Sequence, residues 1–191
     1  MDTALDALIP VHGTSGDARV DHAELATQLE ALHSQCFGWA MACCGHRREE
    51  AEDVLHDVYV GVLDNGLRFD GRAGSTLKTW LFGVIGRTAR ARLRRDRLRA
   101  LLGVTHASRI DTPAPATSPD DNAVASESRE RMLAALGQLA TRQREVLLLV
   151  FYHDLTVEEA AKVMGVSVGT ARVHYQRGKQ RLAPLLASDR P

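Results

Sequence analysis

Past residue 20, apolar residues at helical spacing fill almost the whole chain and give way at length only once, between residues 103 and 126. No other feature constrains the fold as much, because it splits the chain into two helical stretches. The clearest helix is Glu50–Leu63. There Ala51, Val54, Leu55, Val58, Tyr59, Val62 and Leu63 recur at i, i+3, i+4, i+7, i+8, i+11 and i+12, a single stripe of a 3.6-residue helix. Leu77, Trp80, Leu81, Val84 and Ile85 open a second stripe, predicting a helix over 77–102. Asn65, Gly66, Gly71, Gly74 and Ser75 mark the loop between them. The interruption carries Pro113, Pro115 and Pro119 among Thr, Ser, Ala and Asp, a composition that cannot bury enough surface to order itself. Periodicity resumes at Glu127 and runs to about Ala187, with breaks near Gly137, His153–Asp154 and Gly165. The expected class is all-α: a flexible lead-in at 1–20, a helical domain at 21–103, a flexible linker at 104–126 and a second helical domain at 127–191.

The formal net charge is zero, but the charges are sorted. From Lys78 to Arg99 there are eight basic residues and one acid, Asp96, and from Val168 to Leu186 there are Arg172, Arg177, Lys179 and Arg181 with no acid. Acids gather at Glu49–Asp57 and Asp120–Glu130. Segregated blocks under a neutral total predict two kinds of partner, one anionic and one cationic.

Leu155–Leu186 holds the most specific local pattern. Thr156 with Glu159 is a capping box, Gly165 supplies a left-handed helix end, and Ser167 can cap a following helix. Two helices joined by so short a Gly-containing turn form a helix-turn-helix. On the second helix Val168, Ala171, Tyr175, Gly178 and Leu182 share a face suited to packing, while Arg172, Val173, Gln176, Arg177 and Gln180 share another. Arg and Gln can pair bidentately with guanine and adenine edges in the major groove. Lys179 and Arg181 lie toward the flanks and suit phosphate contacts. The bland alternative is a solvated charged helix closing a small bundle.

Two further charged faces stand out. Glu49, Asp53 and Asp57 recur at i, i+4 and i+8, with Glu52 alongside. Like charges at this spacing destabilise a helix slightly, which a basic partner surface would relieve; a merely solvated acidic face is the alternative. On the 77–102 helix Arg87, Arg90, Arg94 and Arg97 share a face, with Arg92, Arg95 and Arg99 elsewhere, a cationic rod suited to a phosphate backbone. Trp80 is either a core aromatic or a platform for an unstacked base beside the Gly-rich loop.

Three cysteines, Cys36, Cys43 and Cys44, cannot all pair within one chain, and neighbouring Cys43 and Cys44 would make a strained bridge. A reduced, cytoplasmic setting is expected. The first residues lack a signal-peptide pattern, and the longest apolar run, Val146–Tyr152, is too short to span a bilayer, so no membrane insertion is expected. No Gly-rich phosphate loop, nucleophile elbow or paired-acid constellation appears, which predicts neither an enzyme nor a cofactor.

These pieces, in this order, resemble the extracytoplasmic-function (ECF) sigma factors of the sigma-70 family. Ala51–Tyr59 is similar to the family's region-two helix that binds the polymerase clamp. Phe69-Asp70-Gly71-Arg72 and Leu77–Phe82 resemble its −10 element, and Leu139–Leu149 followed by Leu155–Leu186 resembles region four, which reads the −35 element. The resemblance implies bacterial core RNA polymerase, promoter DNA and an anti-sigma factor or other regulator as partners. It assigns Glu49, Glu52, Asp53 and Asp57 to polymerase, and Phe69, Asp70, Arg72, Ser75, Lys78, Trp80, Arg87, Arg90, Arg94 and Arg95 to the −10 element. Arg172, Val173, Gln176, Arg177, Lys179 and Arg181 fall to the −35 element. Arg87 stands where the family commonly has Asn, and Leu63 replaces a frequent Trp; these departures are expected to alter promoter choice. The competing readings are a free-standing helix-turn-helix regulator, and a metal or redox sensor built on His33, Cys36, Cys43, Cys44 and His46.

Overall fold

The computed structural model describes residues 22–64, 66–71, 75–102 and 123–187. The lead-in, most of the linker and Arg72 lie outside the described residues. Among those described, every regular element is a helix: α1 (His22–Cys43), α2 (Arg48–Leu63), α3 (Leu77–Leu101), α4 (Ala123–Gly137), α5 (Thr141–Phe151), α6 (Val157–Met164) and α7 (Val168–Ala187). Helix α4 starts four residues ahead of the resumption expected at Glu127, so the inter-helical stretch is shorter than composition implied.

The first unit is α1–α3. The stripe expected on α2 faces inward, with Ala51, Val54, Leu55, Val58 and Val62 all buried. It meets Leu29, Cys36, Trp39 and Ala40 of α1 and Leu81, Phe82, Val84, Ile85 and Ala89 of α3. Burying a side chain the size of Phe82 contributes roughly 1.5–3 kcal/mol through the hydrophobic effect. The Trp39 indole N–H, which would be costly to bury unpaired, donates to the Phe82 carbonyl at 2.9 Å. Gly45 (φ 65°) and His46 (φ 63°) turn the chain sharply between α1 and α2.

The second unit, α4–α7, has a small core of Leu136, Leu139 and Leu147, against which Tyr175, Leu182 and Leu185 pack. The two units are not held apart. Val146, Leu149, Leu155, Ala160, Val163 and Met164 belong to the same buried cluster as the α1–α3 core, and α6 lies directly on α3. Sequence periodicity gives each helix an apolar face but does not say which helix will cover it.

Candidate nucleic-acid and polymerase interfaces

The helix-turn-helix forms as its capping residues dictate. Thr156 Oγ1 accepts from the Glu159 N–H at 3.1 Å, and Glu159 Oε2 accepts from the Thr156 N–H at 2.8 Å, closing the capping box. Gly165 ends α6 at φ 67°, ψ 39°, a conformation that disfavours any Cβ. Ser167 Oγ then accepts from the Thr170 N–H at 3.1 Å and starts α7. Ala160 and Ala161 of α6 are fully buried, and Ala160 joins the cluster shared with α1–α3. Gly178 brings α7 onto α5: a Cβ there would sit 3.3 Å from the Gln143 carbonyl oxygen and 3.1 Å from Leu147 Cδ1.

With Ala171 and Gly178 buried, the opposite side of α7 faces water, and Arg172, Val173, Gln176, Arg177, Lys179, Gln180 and Arg181 are all exposed. Lys179 lies over the Tyr175 ring at 5.3 Å. Arg172 is tied back, its Nη2 donating to Glu158 Oε1 at 2.7 Å, which lowers the Glu158 carboxyl below its ordinary range.

The acidic face of α2 is not bare. Arg92 of α3 reaches across, Nη1 donating to Asp53 Oδ2 at 3.0 Å and Nε to Asp57 Oδ2 at 3.0 Å. Arg48 donates to Glu52 at 2.7 Å, and Glu49 is exposed. The expectation that a partner must neutralise this stripe is therefore corrected in part: the chain supplies one of the cations itself, and a partner has to compete for Asp53 and Asp57. Spacing along one helix cannot reveal an arginine 35 residues away that folds onto it.

The cationic rod is divided too. Arg87, Arg94, Arg95, Arg97 and Arg99 are exposed, whereas half-buried Arg90 pairs with Glu145 of α5 at 3.4 Å. At its start Thr76 caps α3, accepting from the Thr79 N–H at 3.1 Å. Lys78 does not point to solvent. Its Nζ donates to the His153 carbonyl at 2.6 Å. Trp80 is half-buried against the core with the Phe69 ring tilted on it at 5.7 Å, so it serves core and surface together. Asp70 is exposed and Ser75 half-buried. Sequence reading missed His153 entirely, taking it for a helix break. Its only signal there is an imidazole directly after Phe151 and Tyr152 at the end of an apolar run.

Burial pushes the Cys36 and Cys44 thiols up to about 11, so both are protonated fillers of the core. Among the described residues no group of three or more His, Cys, Asp or Glu side chains is placed to hold a metal. No helix among them is long and apolar enough to cross a membrane.

Family models match both units: Sigma-70 region 2 at residues 29–99, spanning α1–α3, and Sigma-70 region 4 at residues 129–182, from α4 into α7. The chain is 32% identical over 136 residues to the RNA polymerase sigma factor CarQ of Myxococcus xanthus, covering 71% of this chain and 74% of that one. It belongs to the sigma-70 family, among the ECF sigma factors. The ECF RNA polymerase sigma factor SigX of Bacillus subtilis is similarly related, 30% identical over 133 residues, 69% of this chain and 68% of its own. The fold matches a solved structure of the sigma factor RpoE in complex with the anti-sigma factor NepR from Bartonella quintana. That match has a TM-score of 0.61 and 24% identity, and covers 87% of this chain and 99% of the other. For this sigma factor a free-standing helix-turn-helix reading leaves α1–α3 without a purpose, and it is not favoured.

Proposed function

We propose that this sigma factor selects promoters by three surfaces. Arg172, Val173, Gln176 and Arg177, flanked by Lys179 and Arg181, read the −35 element in the major groove. Phe69, Asp70, Arg72, Ser75, Lys78, Trp80, Arg87, Arg90, Arg94 and Arg95 take the −10 element and the opened strand. Glu49, Glu52, Asp53 and Asp57 face core polymerase. The carrying observation is the outward side of α7, with Arg177 and Gln176 exposed on a capped recognition helix whose other side is buried. Base-edge pairing of this kind discriminates by roughly 1–3 kcal/mol per contact. The protein itself makes and breaks no bonds; it lends binding energy to the bending and melting of DNA, in the cytoplasm. An anti-sigma factor is its proposed regulator, supported by the fold's likeness to RpoE held by NepR. Run-off transcription with purified core polymerase over a promoter library tests the reading: selective start sites support it, and no added start-site choice overturns it.

A further inference from the structure

Resting on the sigma-factor reading, we infer that Glu158 is a positioning residue of the −35 reader: it aims the Arg172 guanidinium at a guanine edge and keeps it off the phosphate backbone. Two acids stand side by side in the first turn of α6, and they do different work. Glu159 is consumed by the cap, its Oε2 accepting from both the N–H and the hydroxyl of Thr156. Glu158 turns instead to the next helix, where its Oε1 accepts from Arg172 Nη2 at 2.7 Å, 14 residues along the chain. The two side chains keep an outward side, 50% and 66% exposed, so the pair is no strut of the core. Its anchors are nonetheless fixed. The capping box sets the first turn of α6, and buried Ala171, just past the start capped by Ser167, sets the rotation of α7.

The chemistry of this pair favours a base edge over a phosphate. A guanidinium carries five N–H donors, and the Glu158 bond uses one of them, so enough remain for the two acceptors of guanine, O6 and N7. An exposed arginine with no such anchor must give up rotamer freedom on binding and can settle on a phosphate instead. Held by Glu158, the fork is set before DNA arrives, which is what a bidentate contact requires. The carboxylate also repels any phosphate oxygen approaching the same guanidinium, whereas guanine O6 and N7 carry no formal charge. An ion pair this exposed adds little to stability, so its effect is on direction.

Holoenzyme reconstituted from core polymerase and the full chain tests this, by run-off over promoters randomised at the −35 element. Three variants accompany the wild type: Arg172→Ala, Glu158→Ala and Glu158→Gln. Arg172→Ala identifies the base pair that Arg172 reads, as the one where a guanine preference disappears. Glu158→Ala and Glu158→Gln remove the same charge, but glutamine keeps an oxygen that can accept the Arg172 bond. The expected result is a loss of guanine preference of about fivefold at that one base pair in Glu158→Ala, with most of it retained in Glu158→Gln. Unaltered preference in Glu158→Ala overturns the inference. A sharper preference does so too, since it would make Glu158 a lock on Arg172, and so does an even loss at every position, the mark of slackened packing. Glu158→Gln behaving as Glu158→Ala leaves only charge and removes the positioning role, as does an Arg172→Ala chain that loses no guanine preference. A wild type that confers no start-site choice sinks the sigma-factor reading and this inference with it. Selective starts with the Glu158→Ala preference unmoved sink this inference alone.

Discussion

Helices α3 and α7 are the two cationic rods of this molecule, and they spend their charge differently. Helix α3 buries Leu81–Gly86 completely, and three of its cations are held inside the molecule: Lys78 by the His153 carbonyl, Arg90 by Glu145 and Arg92 by Asp53 and Asp57. Helix α7 buries only Ala171 and Gly178, and among the described residues Arg172 is the α7 cation with a carboxylate partner, Glu158. A count of basic residues is therefore a poor measure of what a phosphate backbone can find. Helix α7 is built as a reader, while α3 is a core element with a cationic tail.

The largest contrast should appear in stability. Phe82→Ala is expected to destabilise the protein by about 3–5 kcal/mol, as for other fully buried aromatics, whereas Val173→Ala on α7, 48% exposed, should stay within about 0.5 kcal/mol. Denaturant midpoints measure both; equal losses would erase the distinction between the two helices.

Next in size is the pH dependence of the packed state. Burial first, and then the Lys78 charge, hold the His153 imidazole down to about 4, against an ordinary value of 6.5; Asp154 opposes this only partly. Trp39, Phe82 and Tyr152 surround the ring without adding charge. Between those values a released His153 takes up a proton that the packed one does not. The packed state is thus at full strength above pH 6.5 and weakens as pH falls toward 4, by about 3 kcal/mol at 1.36 kcal/mol per unit. His46, lowered by burial and by Arg144 of α5, acts in the same direction. Scattering across that range should show expansion on acidification, and His153→Ala should blunt it. A radius unchanged between pH 7 and pH 4.5 would refute the assignment.

Smaller, but sharper for function, is Arg177→Ala. It should lower discrimination among −35 sequences by about 1–3 kcal/mol while leaving use of a promoter's −10 element intact. Run-off on promoter pairs differing only at −35 measures this, and unchanged selectivity would count against α7 as the reader. The slightest effect is expected from Arg94→Ala on α3, which should weaken binding evenly across sequences and reduce the salt slope by about 0.7, the value for one contact to a single strand. A change in base preference there would make α3 a reader as well.

Much of this was legible in the residues. The α2 stripe at Ala51–Val62, the Thr156–Glu159 box, the Gly165 turn and the two faces of α7 follow from spacing and local hydrogen bonding within a few residues. Each of those pairs lies within a turn or two of one helix, so backbone geometry alone brings it together. The linker reading ran four residues too far, because Ala123–Ser126 has the small polar composition of a linker yet continues into α4.

Sequence alone thus determined the helices, their apolar sides, the helix-turn-helix and the sorting of charge, since all of these are set by neighbours along the chain. Only the tertiary structure decided that Arg92 answers the α2 acids, that Glu145 takes Arg90, and that His153 of one unit fills a hollow in the other. Those partners lie 35 or more residues apart. Which of several suitable carboxylates or aromatic hollows a side chain meets is fixed by how helices pack, and no local pattern encodes that.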